Sequence, residues 1–219
     1  MRMTSGTKPA VRAVNGRLCI FLALSFLTGM IRPAAAQDTG TFTDPRDGKV
    51  YKTVVIGTQT WMAENLAFKA KGGCHAYGWD ADNKKANAAK YGYLYEWNAA
   101  KKACPPGWHL PTMEEWETLI AHLGGEQAAG AAMKSRTGWG TAAPAEDRFG
   151  FSALPGGYLA DMSKSSFYDL GEQAFWWTAT ESDQYTAWAW NIYIGSKKID
   201  IATYGKSAGG AMSVRCVKD

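Results

Sequence analysis

Apolar residues recur at helical spacing in one stretch above all, where Met113, Trp116, Leu119, Ile120 and Leu123 form a single face. Thr112 is placed to cap that helix with Glu115 three residues on, a capping box, and Gly124-Gly125 supply its left-handed stop. Glu126 to Lys134 is Ala-rich and predicts a second, short helix. Elsewhere the period is two. Lys49 to Ile56 alternates, with Val50, Val54 and Ile56 expected on one face, and Gly57-Thr58 can turn the chain onto Gln59 to Met62 as a hairpin. Phe175 to Thr180 predicts a buried strand. Ala187 to Ile194 puts Trp188, Trp190, Ile192 and Ile194 on one face, expected to be core for the two tryptophans. Gly195-Ser196 turns that strand onto Ile199 and Ile201, and Met212 to Val217 predicts a closing strand. Tyr91 to Trp97 fits a strand or the start of a short helix running to Ala100. Residues 37–46 read as a polar, flexible segment, 69–90 as a long surface excursion and 135–148 as a loop. Strands, helix, helix, strands is the order of an α+β fold, with one main and one short helix beside a mostly antiparallel sheet.

The first 36 residues carry a different pattern. Arg2, Lys8, Arg12 and Arg17 precede an apolar run from Leu18 to Leu27, and Ala34-Ala35-Ala36 offers an A-x-A cleavage site. We read 1–36 as a signal peptide and 47–219 as one domain. The apolar run is short for a bilayer span, which takes ~20 residues. The leader holds five of the 24 basic residues and none of the 20 acidic ones. The formal +4 therefore belongs to the leader, and gives no argument for nucleic-acid binding. All 10 Trp and all 10 Tyr lie beyond the leader, an aromatic load typical of β-rich extracellular folds and of sugar- or peptide-binding surfaces. The core alone could also account for it.

Cleavage would leave Cys74, Cys104 and Cys216 in a compartment that permits disulfides. At most one pair can form. Cys104–Cys216 is our expected pair, tying the start of the helix to the last strand, with Cys74 left over. His75 beside Cys74 could lower the thiol pKa, although a leftover loop cysteine is the plainer reading. His109 is expected to make a structural hydrogen bond, and His122 to be solvated. Asp80, Asp82 and Asn83 faintly resemble calcium ligands, but Lys84 and Lys85 stand where an EF-hand needs an oxygen ligand and a glycine. No metal, no cofactor and no catalytic residue is expected.

Several segments, taken in order, resemble one family. They are Asp47-Gly48-Lys49-Val50-Tyr51, Thr60-Trp61-Met62-Ala63-Glu64-Asn65-Leu66, Tyr91-Gly92-Tyr93-Leu94-Tyr95 and Cys104-Pro105-Pro106-Gly107-Trp108-His109-Leu110-Pro111-Thr112. Gly150 to Tyr158, Trp176 to Glu181 and Ser213 to Asp219 continue the match. Over roughly 44–219 the chain resembles a Fibrobacter succinogenes major paralogous domain. The resemblance implies a secreted or surface bacterial module to which no activity is firmly attached. It also implies a C-type-lectin-like fold, in which a cysteine by the helix is linked to the last strand, and a distant similarity to sulfatase-modifying (formylglycine-generating) proteins. The lectin calcium signature is missing, since Trp190-Asn191 is followed by Ile192.

The function expected from these readings is a non-enzymatic module, secreted to the periplasm, the cell surface or the medium. It would bind a glycan or a cell-surface partner, with no nucleic acid and no membrane span after cleavage. Tyr168, Asp183, Tyr185, Asn191 and Tyr193 are the residues expected to reach solvent and bind, because aromatic faces stack on sugar rings at low entropy cost. An enzyme related to the sulfatase-modifying group and a purely structural envelope protein are the alternatives.

Overall fold

The computed structural model describes residues 38–141, 143–161, 166–206 and 210–219. The leader and its cleavage site lie outside them. Among the described residues, no helix is long and apolar enough to cross a membrane.

The fold is α+β with mostly antiparallel strands in two sheets. The first has the order β1-β2-β3-β13-β6, formed by Thr39–Thr43, Val50–Ile56, Gln59–Met62, Val217–Lys218 and Trp108–His109. The second runs β11-β10-β9-β12-β5-β4, formed by Asp200–Gly205, Thr186–Tyr193, Gln173–Glu181, Met212–Ser213, Leu94–Tyr95 and Cys74–His75. In addition, β7 (Gly156–Asp161) pairs with β8 (Ser166–Leu170) and, in parallel, with β9. Gly157 sits at φ 63°, and a side chain there would collide with the Tyr168 carbonyl, so the β7–β8 approach requires glycine.

Among the described residues there are four helical segments where two were expected. They are α1 (Ala81–Tyr91), α2 (Trp97–Ala100), α3 (Met113–His122) and α4 (Glu126–Met133). The one that periodicity missed, α1, is also the longest. It lies in the stretch read as a surface excursion. Its apolar stripe is weak, but Asp80 caps it by accepting from the Asn83 N–H at 2.8 Å, and Ala88 and Tyr91 bury its inner side. The faint calcium pattern is therefore a helix start. Residues 39–43 are likewise corrected from flexible to strand, because Phe42 packs on Trp108 with ring centroids 5.2 Å apart.

β9 is buried on both faces. Trp176 points into a core with Trp61, Trp116 and Phe151, while Phe175 and Trp177 point into a second core with Tyr95, Trp97 and Trp108. In β10, Trp190 and Ile192 enter the first core and Ala187 and Ala189 the second. Trp188 is only half-buried, against expectation, because the register shifts between Ala187 and Ala189. In β2, Val54 and Ile56 are buried on the expected face, but Val50 at the strand's start is 54% exposed, and Tyr51 buries the opposite face in the second core.

The closing strand is two short strands in different sheets. Val214-Arg215-Cys216 carries the chain from β12 to β13 beside residues 62–66. Met62 N–H donates to the Cys216 carbonyl at 3.0 Å and Leu66 N–H to the Val214 carbonyl at 2.8 Å. Between them the Arg215 guanidinium is fully buried. It donates to Asn65 Oδ1 from Nε and one terminal nitrogen, and to the Met62 and Phe151 carbonyls from the other. Asn65 Oδ1 also accepts from Trp176 Nε1 at 3.0 Å, and its amide donates to the Tyr91 carbonyl at 2.9 Å. Cys216 forms the expected disulfide with Cys104, across 112 residues of sequence. A loop of that length is worth about 4–5 kcal/mol in the chain-entropy account.

The capping box of α3 is present, and its Glu115 has a second role. One carboxylate oxygen accepts from Thr112 N–H, while the other lies 2.8 Å from His109 Nε2, with His109 Nδ1 2.6 Å from Asp219. The hydrogen bond expected of His109 is thus a bridge between two carboxylates. Burial alone would lower the His109 pKa, but hydrogen bonds to Asp219 and Glu115 raise it above the ordinary 6.5.

Two predictions follow from these contacts. Arg215→Ala leaves Asn65 and two carbonyls without their buried donor, and should cost about 3–5 kcal/mol in urea denaturation; a loss under about 1 kcal/mol would remove Arg215 from the role given to it. The His109 bridge should contribute fully below pH 6.5 and fade as pH rises through the raised folded value. Because the ring is 39% exposed, its worth is about 0.5 kcal/mol. The stability difference between the protein and His109→Gln should therefore shrink from pH 6 to pH 9, and a constant difference would reject the linkage.

Candidate functional site

The excursion at 69–90 builds one side of an open cleft. Tyr95 and Leu94 of β5 pair with Cys74 and His75 of β4, and so hold the start of the excursion against the second sheet. Gly92, at φ 80°, ends α1 where a Cβ would lie 2.6 Å from the Leu66 carbonyl, so the helix is seated closely on the 62–66 segment. Ala81, Lys84, Lys85, Ala88 and Ala89 recur at helical spacing on the side of α1 that lines the cleft. Small residues leave room between the helix and the sheet, and the two lysines edge it. The volume is about 650 Å³, within the ~300–1,000 Å³ of ordinary ligand clefts.

Lys49 and Lys69 face Lys84 and Lys85 in this lining, with Tyr93 and Phe167 as its aromatic walls. The lining contains no carboxylate. None of the four lysines is ion-paired among the described residues. Trp79 is 68% exposed and stands 6.0 Å, ring to ring, from Phe167. A smaller recess of about 260 Å³ shares Lys49, Ala67 and Ala89 with the cleft and adds Lys52, Lys90 and one acid, Glu64, whose carboxylate accepts from the Lys52 N–H.

Cys74 and His75 also line the cleft. They do not form an activated pair. His75 Nε2 lies 2.9 Å from Glu96 Oε1, and the Cys74 thiol faces the Phe68 carbonyl at 3.9 Å. Burial pushes the thiol pKa up, against a smaller downward pull from a backbone hydrogen bond and Lys69. The thiol activation considered for His75 is thus corrected. Among the described residues, no group of three or more His, Cys, Asp or Glu side chains is placed to hold a metal ion.

The five residues expected to bind lie on β8, in the turn before β10 and along β10 itself. Asp183 and Tyr185 lie in the turn before β10, where the Asp183 carboxylate accepts from the Tyr185 and Thr186 N–H groups at 2.6 and 2.8 Å. Tyr193 ends the same strand, roughly 25 Å from Tyr185 at the rise of an extended chain. Asn191 donates to the Asp200 carbonyl across β10 and β11. Tyr168, on β8, is 49% exposed and rests on Tyr158, which in turn meets Phe175. Tyr168, Tyr185 and Tyr193 are all exposed.

Sequence reading missed the cleft because its lysines come from three places in the chain and its helix has little amphipathic signal. The Lys84-Lys85 pair was the available clue. The fold also predicts how Cys74 reacts. In the native protein, alkylation should modify Cys74 among the described cysteines, with the rate rising about a midpoint above pH 9.0, the ordinary value; a midpoint below this would restore the activated reading.

The family model of the Fibrobacter succinogenes major domain matches residues 54–218. No curated protein and no solved structure matches the chain.

Proposed function

We propose, from the premise that the chain belongs to the Fibrobacter succinogenes major domain family, that it is an exported bacterial module that works by binding a glycan. A cell-surface protein is the other partner of the same class. The observation that carries this reading is the open cleft, in which Tyr93 and Phe167 offer faces for sugar rings and lysines offer donors for their oxygens. The Cys104–Cys216 bridge suits an oxidising compartment, which supports export. It also engages the only late cysteine of the sequence, so Cys216 is not free for the paired-thiol chemistry implied by the sulfatase-modifying resemblance. We read the fold more finely as C-type-lectin-like, on the strength of that disulfide, the short helices and the closing strands.

The test is retention of the purified protein on insoluble polysaccharides and bacterial cell walls, with calcium and with a chelator. Retention on at least one glycan is expected, unchanged by the chelator because the lectin calcium signature is missing. No retention on any of them would sink the reading and leave a structural envelope role to be examined first.

A further inference from the structure

We propose that the cleft takes a linear polysaccharide bearing carboxylates, such as a uronate polymer, laid along α1. The inference rests on the glycan-binding reading and names the chemical class. Its first support is charge. Beyond the leader the chain carries 19 basic and 20 acidic residues, yet the main lining holds Lys49, Lys69, Lys84 and Lys85 and no acid. A nearly neutral protein has thus gathered four cations in one concave place, with Asp80 beside Lys84 as a nearby acid outside the lining. Such a cleft focuses its field on an anion, and lysines with no carboxylate partner are free to make charge-assisted bonds.

Continuity is the second support. The main cleft and the smaller recess share Lys49, Ala67 and Ala89, and the recess extends the basic edge through Lys52 and Lys90. A groove with cations along its length suits a chain with a charge on each unit better than a single small anion. Its aromatic residues distinguish the class of polyanion. Tyr93 and Phe167 line the wall and Trp79 stands exposed beside Phe167. The C–H face of a pyranose can lie on such rings while its carboxylate reaches a lysine. A nucleic acid remains the competing polyanion, and the test includes it.

The experiment measures binding of the purified protein to polygalacturonate, to a neutral β-glucan and to single-stranded DNA at 0.15 M salt. Two variants with the same charge change are compared, Lys84→Glu/Lys85→Glu in the cleft and Lys102→Glu/Lys218→Glu away from it. All four positions are exposed, and thermal melts establish that both variants fold. Polygalacturonate should bind more tightly than β-glucan or DNA. The cleft variant should lose at least tenfold in affinity and the control less than twofold. Equal losses in the two variants, or DNA bound as tightly as polygalacturonate, would overturn the proposal. Binding of the neutral glucan alone, untouched by the cleft variant, would overturn the acidic class and leave the glycan reading standing. Binding to none of the three would overturn the proposal, and the broader polysaccharide panel would then decide the glycan reading by itself.

Discussion

A guanidinium with no water around it must find its partners in the protein, and the Arg215 side chain finds all of them in segments distant in sequence. Among the described residues no direct ion pair neutralises the charge. Neutral oxygens of Asn65, Met62 and Phe151 accept its hydrogen bonds, and Glu64 and Asp147 act on it from farther away. Burial pushes its pKa down to about 9, which still leaves it charged at neutral pH. Removing any of these acceptors exposes a buried cation to an apolar surrounding, so the network constrains several segments at once. It sets the crossing from β12 to β13, and with it the join between the two sheets. Its Phe151 contact is doubled by the ring itself, which lies 4.4 Å from the guanidinium carbon.

Lys134 repeats the device at the other end of the first core. Its ammonium donates to the carbonyls of Tyr193, Ile194 and Ser196 at 2.6–2.8 Å, tying the end of α4 to the turn after β10. Burial lowers its pKa to about 8. Both cations bind several backbone carbonyls that a turn or crossing brings together. The disulfide then holds the same crossing covalently, because Cys216 follows Arg215 directly.

With the sheets joined in this way, the excursion at 69–90 can be built as an addition. It is held by a two-strand pairing with β5, the packing of Tyr77 on Leu94 and Leu159, the seat of Gly92 on the 62–66 segment and the cap at Asp80. It also carries three of the four cleft lysines. A stable double core of aromatic residues carries a less heavily packed element whose polar side forms a concave surface. That division of labour between scaffold and loop is common among binding folds, and it explains why the cleft belongs to the part of the chain with the weakest sequence pattern.

Local pattern determined a good deal here. The capping box and apolar face of α3 specify that helix without reference to anything distant, since both are satisfied within a few residues. The β2–β3 hairpin and the buried run of β9 were legible for the same reason, and the disulfide was legible because few pairings were possible. The segments carrying the family resemblance already contained Asn65 and Arg215, but nothing local said that they touch, because a buried polar contact between residues 150 apart leaves no periodicity. Tertiary structure alone decided that β2 is buried on both faces while Val50 is exposed, that α1 exists as a helix against the 62–66 segment, and that scattered lysines meet in one cleft. Helical and strand periods report what a residue's near neighbours require. The gathering of like charges, and the burial of an arginine, depend on which distant segments the folded chain brings together.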